Sequence, residues 1–343
     1  MQEINRILVV RTDRIGDVIL TLPVIAALRR KFVHAHITLL MRHYTADIVQ
    51  GNPGINEIIF DDEGDKEIPL LLQIQNIRSQ KFDVVIVVKP SWRLALLFFF
   101  AGIPLRIGTG YRLYSFLFNK KIYEHRRLGE QHESEYNLSL LQPLGIIPSE
   151  KIYPQLFPER NSVDEIQELL KKYNVNDTFI IIHPGSGGSS KNWSAANFGA
   201  LGKKLSAENN VQILITGGRN ETELVRNVAA FIGKEAIVLQ EHLPLQKFIA
   251  LISLAKLFIA NSTGPLHIAS ALGIYAVGFF PQHPAMGSKR WGPYAEKKLI
   301  FSPKNKSRNC ADCNYRSHCD CMNSISVDEV YAGVQNIIQS NFL

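Results

Sequence analysis

Asn261-Ser262-Thr263-Gly264 is a small polar turn placed after a short apolar run, residues 257–260, and before a short helix that carries Pro265 and His267. A turn of this make aims backbone N–H groups and the positive end of a helix at one point in space. That arrangement suits a phosphate or diphosphate. His267 stands one helical turn beyond Thr263, so its ring either packs as a core histidine or points at the same anion. A second strand end reads His183-Pro184-Gly185-Ser186-Gly187-Gly188, with Lys191 just before a helix. Such loops hold phosphate through backbone N–H groups, here with Ser186 in the loop and Lys191 as a compact counter-charge. The plain alternative is a surface loop with an incidental lysine. Ser190 before Lys191 excludes a Walker A loop. A third strand end, Thr216-Gly217-Gly218-Arg219-Asn220-Glu221, places an acid after a glycine pair. That acid either accepts from a ribose diol or closes an ordinary turn.

The first strand runs into Arg11-Thr12-Asp13-Arg14-Ile15-Gly16-Asp17, a strand-to-helix turn with a single glycine. It lacks the G-x-G-x-x-G of close dinucleotide approach, which disfavours hydride transfer. Asp17 is by default a first-turn acid favoured by the helix dipole. As a functional group it is a carboxylate able to take a proton from a sugar hydroxyl, with Asp13 the second choice. All four cysteines fall near the far end, as Cys310-x2-Cys313-x5-Cys319-x-Cys321 with His318 among them. Their spacing suggests a structural zinc knot; reduced free thiols are the alternative.

These residues need elements to position them. Strands alternate with helices in both halves, the sign of parallel sheets covered on two faces. Strands are expected over 4–10, 36–40, 55–60 and 84–88, with a helix over 17–31 that Pro23 should kink or start late. A further helix is expected over 133–144, ending at Gly145. The second half gives strands 179–182, 211–216, 237–239, 257–260 and 275–280, and helices 194–206, 221–232 and 245–254. Residues 153–161, with Pro154 and Pro158, read as a linker. The expected division is 1–158, 159–325 and a closing helical segment, 326–343, as a candidate to pack back on the first domain.

A chain of 343 residues with 46% hydrophobic and 20% charged residues is long enough for two cores and is not disordered. Its N-terminus lacks the order of a secretory signal. Its apolar stretch 94–105 is shorter than the roughly 20 residues a spanning helix needs. A cytoplasmic protein that at most touches a membrane is therefore expected. The net charge of +7 is uneven. Between residues 106 and 127 stand Arg106, Arg112, Lys120, Lys121, Arg126 and Arg127 against one acid, Glu124. Aromatics are interleaved with them. A solvated surface and a single-stranded nucleic acid are both compatible with that run. An anionic lipid or phosphorylated saccharide is favoured over nucleic acid.

Ile15-Gly16-Asp17-Val18, Leu22-Pro23 and Leu28-Arg29 resemble the opening of glycosyltransferase family 9, the lipopolysaccharide heptosyltransferase family. His183-Pro184-Gly185, Lys191-x-Trp193, Gly217-Gly218 and Ser262-Thr263-Gly264-Pro265-x-His267 are similar to the same family in the same order. The resemblance implies a GT-B enzyme, two Rossmann-like doubly wound domains facing a cleft. Such an enzyme inverts configuration without a catalytic metal or other cofactor. It implies ADP-heptose as donor and, as acceptor, an anionic lipid-linked inner-core saccharide at the inner face of the cytoplasmic membrane. Carried over by position, Asp17 is the general base and Lys191 the donor-phosphate lysine. Thr263, Gly264 and His267 form the diphosphate turn, with Ser262, Ser186, Gly217, Gly218 and Glu221 completing the donor site. Arg11, Arg14, Arg106, Arg112, Lys120 and Lys121 are the basic residues expected to meet the acceptor. Ser262 departs from the aspartate usual before Thr-Gly. That departure keeps open a GT-B transferase or epimerase using another nucleotide sugar, or a non-catalytic sugar-nucleotide or lipopolysaccharide-binding protein.

Overall fold

The computed structural model describes residues 3–188, 190–209, 211–239, 243–304 and 320–341. The first part of the chain runs β1 (Arg6–Val10), α1 (Ile15–Ile19), α2 (Leu22–Lys31), β2 (His36–Met41) and β3 (Glu57–Phe60). A small hairpin follows, β4 (Asp62–Glu63) with β5 (Lys66–Glu67). Then come α3 (Leu70–Ser79), β6 (Val84–Val87), α4 (Trp92–Phe100), β7 (Leu105–Thr109), β8 (Lys120–Ile122) and α5 (Glu133–Ser139). Its six-stranded sheet has the order β3-β2-β1-β6-β7-β8 and is parallel throughout. Strands buried on both faces read as continuous apolar runs, and Ile7, Leu8, Val9 and Val10 of β1 are all fully buried.

The second part begins with α6 (Arg160–Lys172), β9 (Phe179–His183), α7 (Ala195–Asn209), β10 (Gln212–Ile215) and α8 (Thr222–Ile232). It continues with β11 (Ala236–Val238), α9 (Leu245–Leu254), β12 (Leu257–Asn261) and α10 (Gly264–Ala271). It closes with β13 (Tyr275–Phe279), α11 (Ser288–Trp291), β14 (Lys298–Phe301) and α12 (Val327–Asn341). Its sheet, β11-β10-β9-β12-β13-β14, repeats the strand order of the first and is again all parallel. Each sheet therefore reverses its direction of winding once, between β1 and β6 in the first and between β9 and β12 in the second. Ligands of doubly wound sheets bind beyond the carboxyl ends of the strands at such a reversal.

The chain divides into two compact units. One holds the residues up to Arg126 together with Glu133–Phe157; the other holds Arg127–His132 and everything from Pro158. The division after Phe157 falls one residue from the expected boundary. The transfer of Arg127–His132 to the second unit leaves no mark in composition or periodicity. The closing helix α12 buries Val330, Val334 and Ile338 in the core of the second unit, with Trp193, Phe198 and Phe279. Lys204 of α7 holds its first turn through Asp328 at 2.9 Å.

The single helix expected over 17–31 is two helices. Pro23 has no N–H to give, and its ring would strike the carbonyl four residues back. The chain accordingly ends α1 at Ile19 and restarts, with Thr21 at the N-cap position of α2 and Pro23 in its first turn. Asp17 thereby sits on a short helix of its own. Among the described residues, no helix is long and apolar enough to cross a membrane.

Candidate functional site

In the first unit the chain leaves β1 into Arg11, whose N–H donates to the Leu40 carbonyl at 3.0 Å and which is 2% exposed. Its guanidinium is the centre of a charge cluster. Nε lies 2.6 Å from Asp13 Oδ1, Nη2 contacts Asp17 Oδ1, and Nη1 is 3.8 Å from Glu133 Oε1. Glu133, at the start of α5, also binds Arg126 Nη1 at 2.6 Å. Asn137, one turn further along α5, takes a second Arg126 bond at 2.9 Å and donates to the Leu20 carbonyl at 3.0 Å. Lys89, just past β6, reaches Asp13 Oδ2 at 3.1 Å. The Tyr44 hydroxyl donates to the Asp13 carbonyl at 2.7 Å. Arg11, Arg126 and Lys89 thus meet Asp13, Asp17 and Glu133, and they do so at the winding reversal between β1 and β6.

Burial pushes the Asp17 carboxyl above its ordinary range, the Arg11 charge pulls it down, and Asp13 and Glu133 push it up again. The net direction is upward. A carboxylate in that condition is a stronger base than one in water. Burial alone would lower Arg11, but its three carboxylates hold it above the usual value, so it stays charged.

The structure distributes the expected acceptor residues unevenly. Arg11 is enclosed by carboxylates and presents no free face. Arg106 turns inward, with Nε donating to the Leu117 carbonyl at 2.8 Å and its guanidinium over the Phe99 ring. Arg14, Arg112, Lys120 and Lys121 are exposed. Lys89 and Glu133 escaped the sequence reading. Lys89 lies outside the basic run, and an acid at a helix start reads as an ordinary first-turn residue.

In the second unit the corresponding reversal brings the end of β9 beside the end of β12. Asn261, fully buried, ties the two together: its Oδ1 accepts from the Trp193 N–H at 2.8 Å, and its Nδ2 donates to the Pro184 carbonyl at 2.7 Å. Trp193 is stacked on Phe279 at 4.3 Å and donates through Nε1 to the Ile325 carbonyl. Lys191, two residues before this anchor, is half-buried and forms no ion pair among the described residues.

Glu221 lies under the glycine loop. Its carboxylate accepts from the Gly187 N–H at 3.0 Å and the Gly218 N–H at 2.8 Å. A Cβ on Gly185 would overlap that carboxylate, and one on Gly217 would strike Val225, so both positions need glycine. Gly187 and Gly188 have φ of 54° and 74°, the left-handed region that favours glycine. Burial pushes Glu221 up, but the N–H groups of Gly218, Gly187 and Ser186 and the neighbouring His183 bring it below its ordinary value. The acid expected to meet a ribose is therefore first a clamp on the loop. His183 donates or accepts at Thr216 Oγ1 through Nδ1 at 3.0 Å, and burial lowers it to about 4, so it is neutral at pH 7.

Thr263 is the N-cap residue of α10, and its side chain makes no capping bond to that helix. Pro265 has no N–H and the Leu266 N–H donates to the Thr263 carbonyl at 3.2 Å, so what this helix start offers an anion is the Gly264 N–H and the helix dipole. His267 is 5% exposed with Nδ1 unpartnered, and burial, reinforced by His132, lowers it to about 3. Gly185 and Ser186 follow the carboxyl end of β9, and Thr263 and His267 follow that of the neighbouring β12, at one end of the second sheet.

Cys310, Cys313, Cys319 and His318 lie outside the described residues; Cys321 is described and bears a free thiol. The zinc expectation rests on residues outside that description, and among the described residues no cluster of three or more metal-ligating side chains occurs.

Residues 72–319 match the model of glycosyltransferase family 9 (heptosyltransferase). A protein of Haemophilus influenzae provisionally described as a glycosyltransferase is 30% identical over 87% of this chain and 89% of its own length. Lipopolysaccharide heptosyltransferase 3 of Escherichia coli K12 is 26% identical over 94% of this chain and 95% of its own. The solved structure of E. coli ADP-heptose lipopolysaccharide heptosyltransferase II superposes with a TM-score of 0.80 at 19% identity, covering 98% of this chain and 100% of that one. The fold is that of the GT-B enzymes, two Rossmann-like domains in one chain. On the family match across most of its length, the chain belongs to glycosyltransferase family 9, the heptosyltransferases.

Proposed function

We propose that this glycosyltransferase moves heptose from ADP-heptose onto the inner core of lipopolysaccharide with inversion, and without a catalytic metal. The observation that carries the reading is Asp17: a carboxylate pushed upward by burial, held by Arg11 at the winding reversal of the first sheet. In the reaction the acceptor oxygen bonds to the sugar C1 while the bond from C1 to the diphosphate oxygen breaks. Asp17 takes the hydroxyl proton, and the nucleoside diphosphate leaves with the electron pair. Arg11 keeps the Asp17 carboxylate oriented and stays charged throughout. The growing charge on the leaving group falls to Lys191, the loop at Ser186 and the N-terminus of α10 at Thr263-Gly264, with His267 behind it. Arg14, Arg112, Lys120 and Lys121, on exposed surface of the first unit, suit an anionic acceptor presented at the inner face of the cytoplasmic membrane.

A nucleoside diphosphate sugar suits the second unit, because backbone N–H groups of the glycine loop, Lys191 and the N-terminus of α10 are all donors to a diphosphate. Ser262 in place of an acid makes the sugar and base the least determined parts of that donor. Calorimetric titration with ADP-heptose, ADP, UDP and GDP, followed by transfer onto a lipid A–core acceptor, tests the reading. ADP-heptose should bind and ADP should be released. Asp17→Asn should bind ADP as the native protein does while transfer falls by about two to four orders of magnitude. Binding of UDP or GDP in preference would reassign the donor, and binding of ADP-heptose with no transfer would sink the enzymatic reading.

A further inference from the structure

Residues 68–123 hold one acid, Asp83, against eight basic residues: Arg78, Lys81, Lys89, Arg93, Arg106, Arg112, Lys120 and Lys121. Asp83 is committed at the amino edge of the first sheet, where its carboxylate accepts from the N–H groups of Asn5 and Arg6, each at 2.8 Å. Lys89 and Arg93 are paired with Asp13 and Asp61 from outside this stretch, whereas the exposed Arg112, Lys120 and Lys121 form no ion pair among the described residues. The same stretch gathers apolar side chains that the fold leaves outside. On α3, Leu71 is 75% exposed; on α4, Trp92 is 62% exposed, with Phe100 also outward. The 3₁₀ turn Leu113–Leu117 presents Leu113 at 98% and Phe116 at 74%.

These positions form one neighbourhood. Helix α3 packs on α4, and α4 packs on the Leu113–Leu117 turn. The Tyr114 hydroxyl fastens that turn to the Pro90 carbonyl at 2.9 Å, two residues before Trp92. Leu113 and Phe116 are three apart, so on a 3₁₀ turn they stand on one side. Single exposed apolar residues are ordinary on soluble surfaces, but apolar tips grouped and ringed by one sign of charge mark a partner. Bulky residues with lysine and arginine around them match the boundary between phosphate headgroups and acyl chains.

We propose that the face made by α3, α4 and the Leu113–Leu117 turn docks on an anionic lipid bilayer. Leu113 and Phe116 enter the headgroup boundary, and Arg112, Lys120 and Lys121 lie over the headgroup phosphates. The proposal rests on the reading of the first unit as the one that receives a lipid-linked acceptor. Trp92 follows only three residues after Lys89, whose Nζ is 3.1 Å from Asp13. Docking therefore holds the Asp17 cluster beside lipid-borne substrate and raises its local concentration.

Co-sedimentation with vesicles tests it, using phosphatidylcholine alone and phosphatidylcholine mixed with phosphatidylglycerol. The native protein should pellet with the anionic vesicles. The double variant Leu113→Asp, Phe116→Asp should bind them roughly tenfold more weakly. Both residues are outside the core, so the variant should fold, and it should retain turnover on a water-soluble acceptor that lacks acyl chains. Phe231→Asp, on α8 and also exposed at 52%, should bind as the native protein does. Trp92 emission should shift to the blue on binding, and Trp92→Phe should lose that shift. Native protein left in the supernatant with anionic vesicles would overturn the proposal. So would undiminished vesicle binding by the double variant, or a concentration-dependent dimer that this variant abolishes. A chain that binds vesicles through Leu113 and Phe116 but transfers no sugar would leave the surface standing and remove only the catalytic reading.

Discussion

Asp17 shares one guanidinium with two other carboxylates, and its strength as a base depends on that competition. Glu133 acts on it twice: its own charge pushes Asp17 upward, and it draws on Arg11, which would otherwise bind Asp17 alone. Glu133→Gln should therefore lower the pKa of Asp17 and move the acid limb of the kcat–pH profile to lower pH. A profile that does not move, in a variant that folds, would leave Glu133 a structural partner of Arg126 only. Lys191 belongs to the other unit, where we propose that it meets the donor. If its ammonium meets a donor phosphate, Lys191→Ala should weaken ADP affinity by about 1.5–3 kcal/mol, the worth of a charge-assisted hydrogen bond, as read by calorimetry. Unchanged affinity would assign the diphosphate to the α10 turn alone. Asp17 and Lys191 stood out as candidates because each follows a strand in a recognisable string. Glu133 and Lys89 did not, since their partners lie 122 and 76 residues away in sequence (Arg11 and Asp13) and no local pattern records such a contact.

At the scale of elements, the donor end of the second unit depends on one buried side chain. Asn261 holds β12, the loop after β9 and the start of the Trp193 anchor through an acceptor and a donor that no smaller residue supplies. Asn261→Ala would strand the Trp193 N–H and the Pro184 carbonyl in the core. The expected cost is about 1–3 kcal/mol for each group left unpaired. The loop that carries Lys191 loses its tether at the same time, so ADP affinity should fall together with the unfolding midpoint. A loss of stability with full ADP affinity would show that the loop does not need Asn261. The sequence marked this residue only as the first of a polar turn, whereas it closes β12 and turns its side chain inward. Helix α4 was hidden for the opposite reason. It buries Leu94, Ala95, Leu97 and Phe98 while exposing Trp92, Phe99 and Phe100, so apolar residues stand on every side and the helical period disappears. Strand β8 was masked by Lys120 and Lys121, which are edge-strand residues that blunt further pairing. The strands at the two winding reversals were read almost to their ends, since buried parallel strands are continuous apolar runs.

For the molecule as a whole, the two units should respond to acid in opposite directions. His183 and His267 are held neutral in the folded second unit, burial lowering them to about 4 and about 3. In the unfolded chain each titrates near 6.5. Between those values the unfolded state binds protons that the folded state refuses. Stability of the second unit is therefore full above pH 6.5 and falls as the pH drops towards 4, by up to about 1.4 kcal/mol per pH unit for each histidine. Glu221, held below its ordinary value, withdraws its contribution lower still, as pH falls through its folded pKa. Asp17 has the reverse sign: its folded pKa is raised, so the folded first unit takes that proton more readily than the unfolded chain and is relieved by acid. Hydrogen exchange at pH 7 and pH 5, corrected for intrinsic rates, should show protection lost in β9–β14 before β1–β8. His267→Gln should make that loss shallower, because one of the two refused protons is no longer at issue. Equal loss in both sheets would mean that the histidines are solvated in solution, and with them the interior of the proposed diphosphate site.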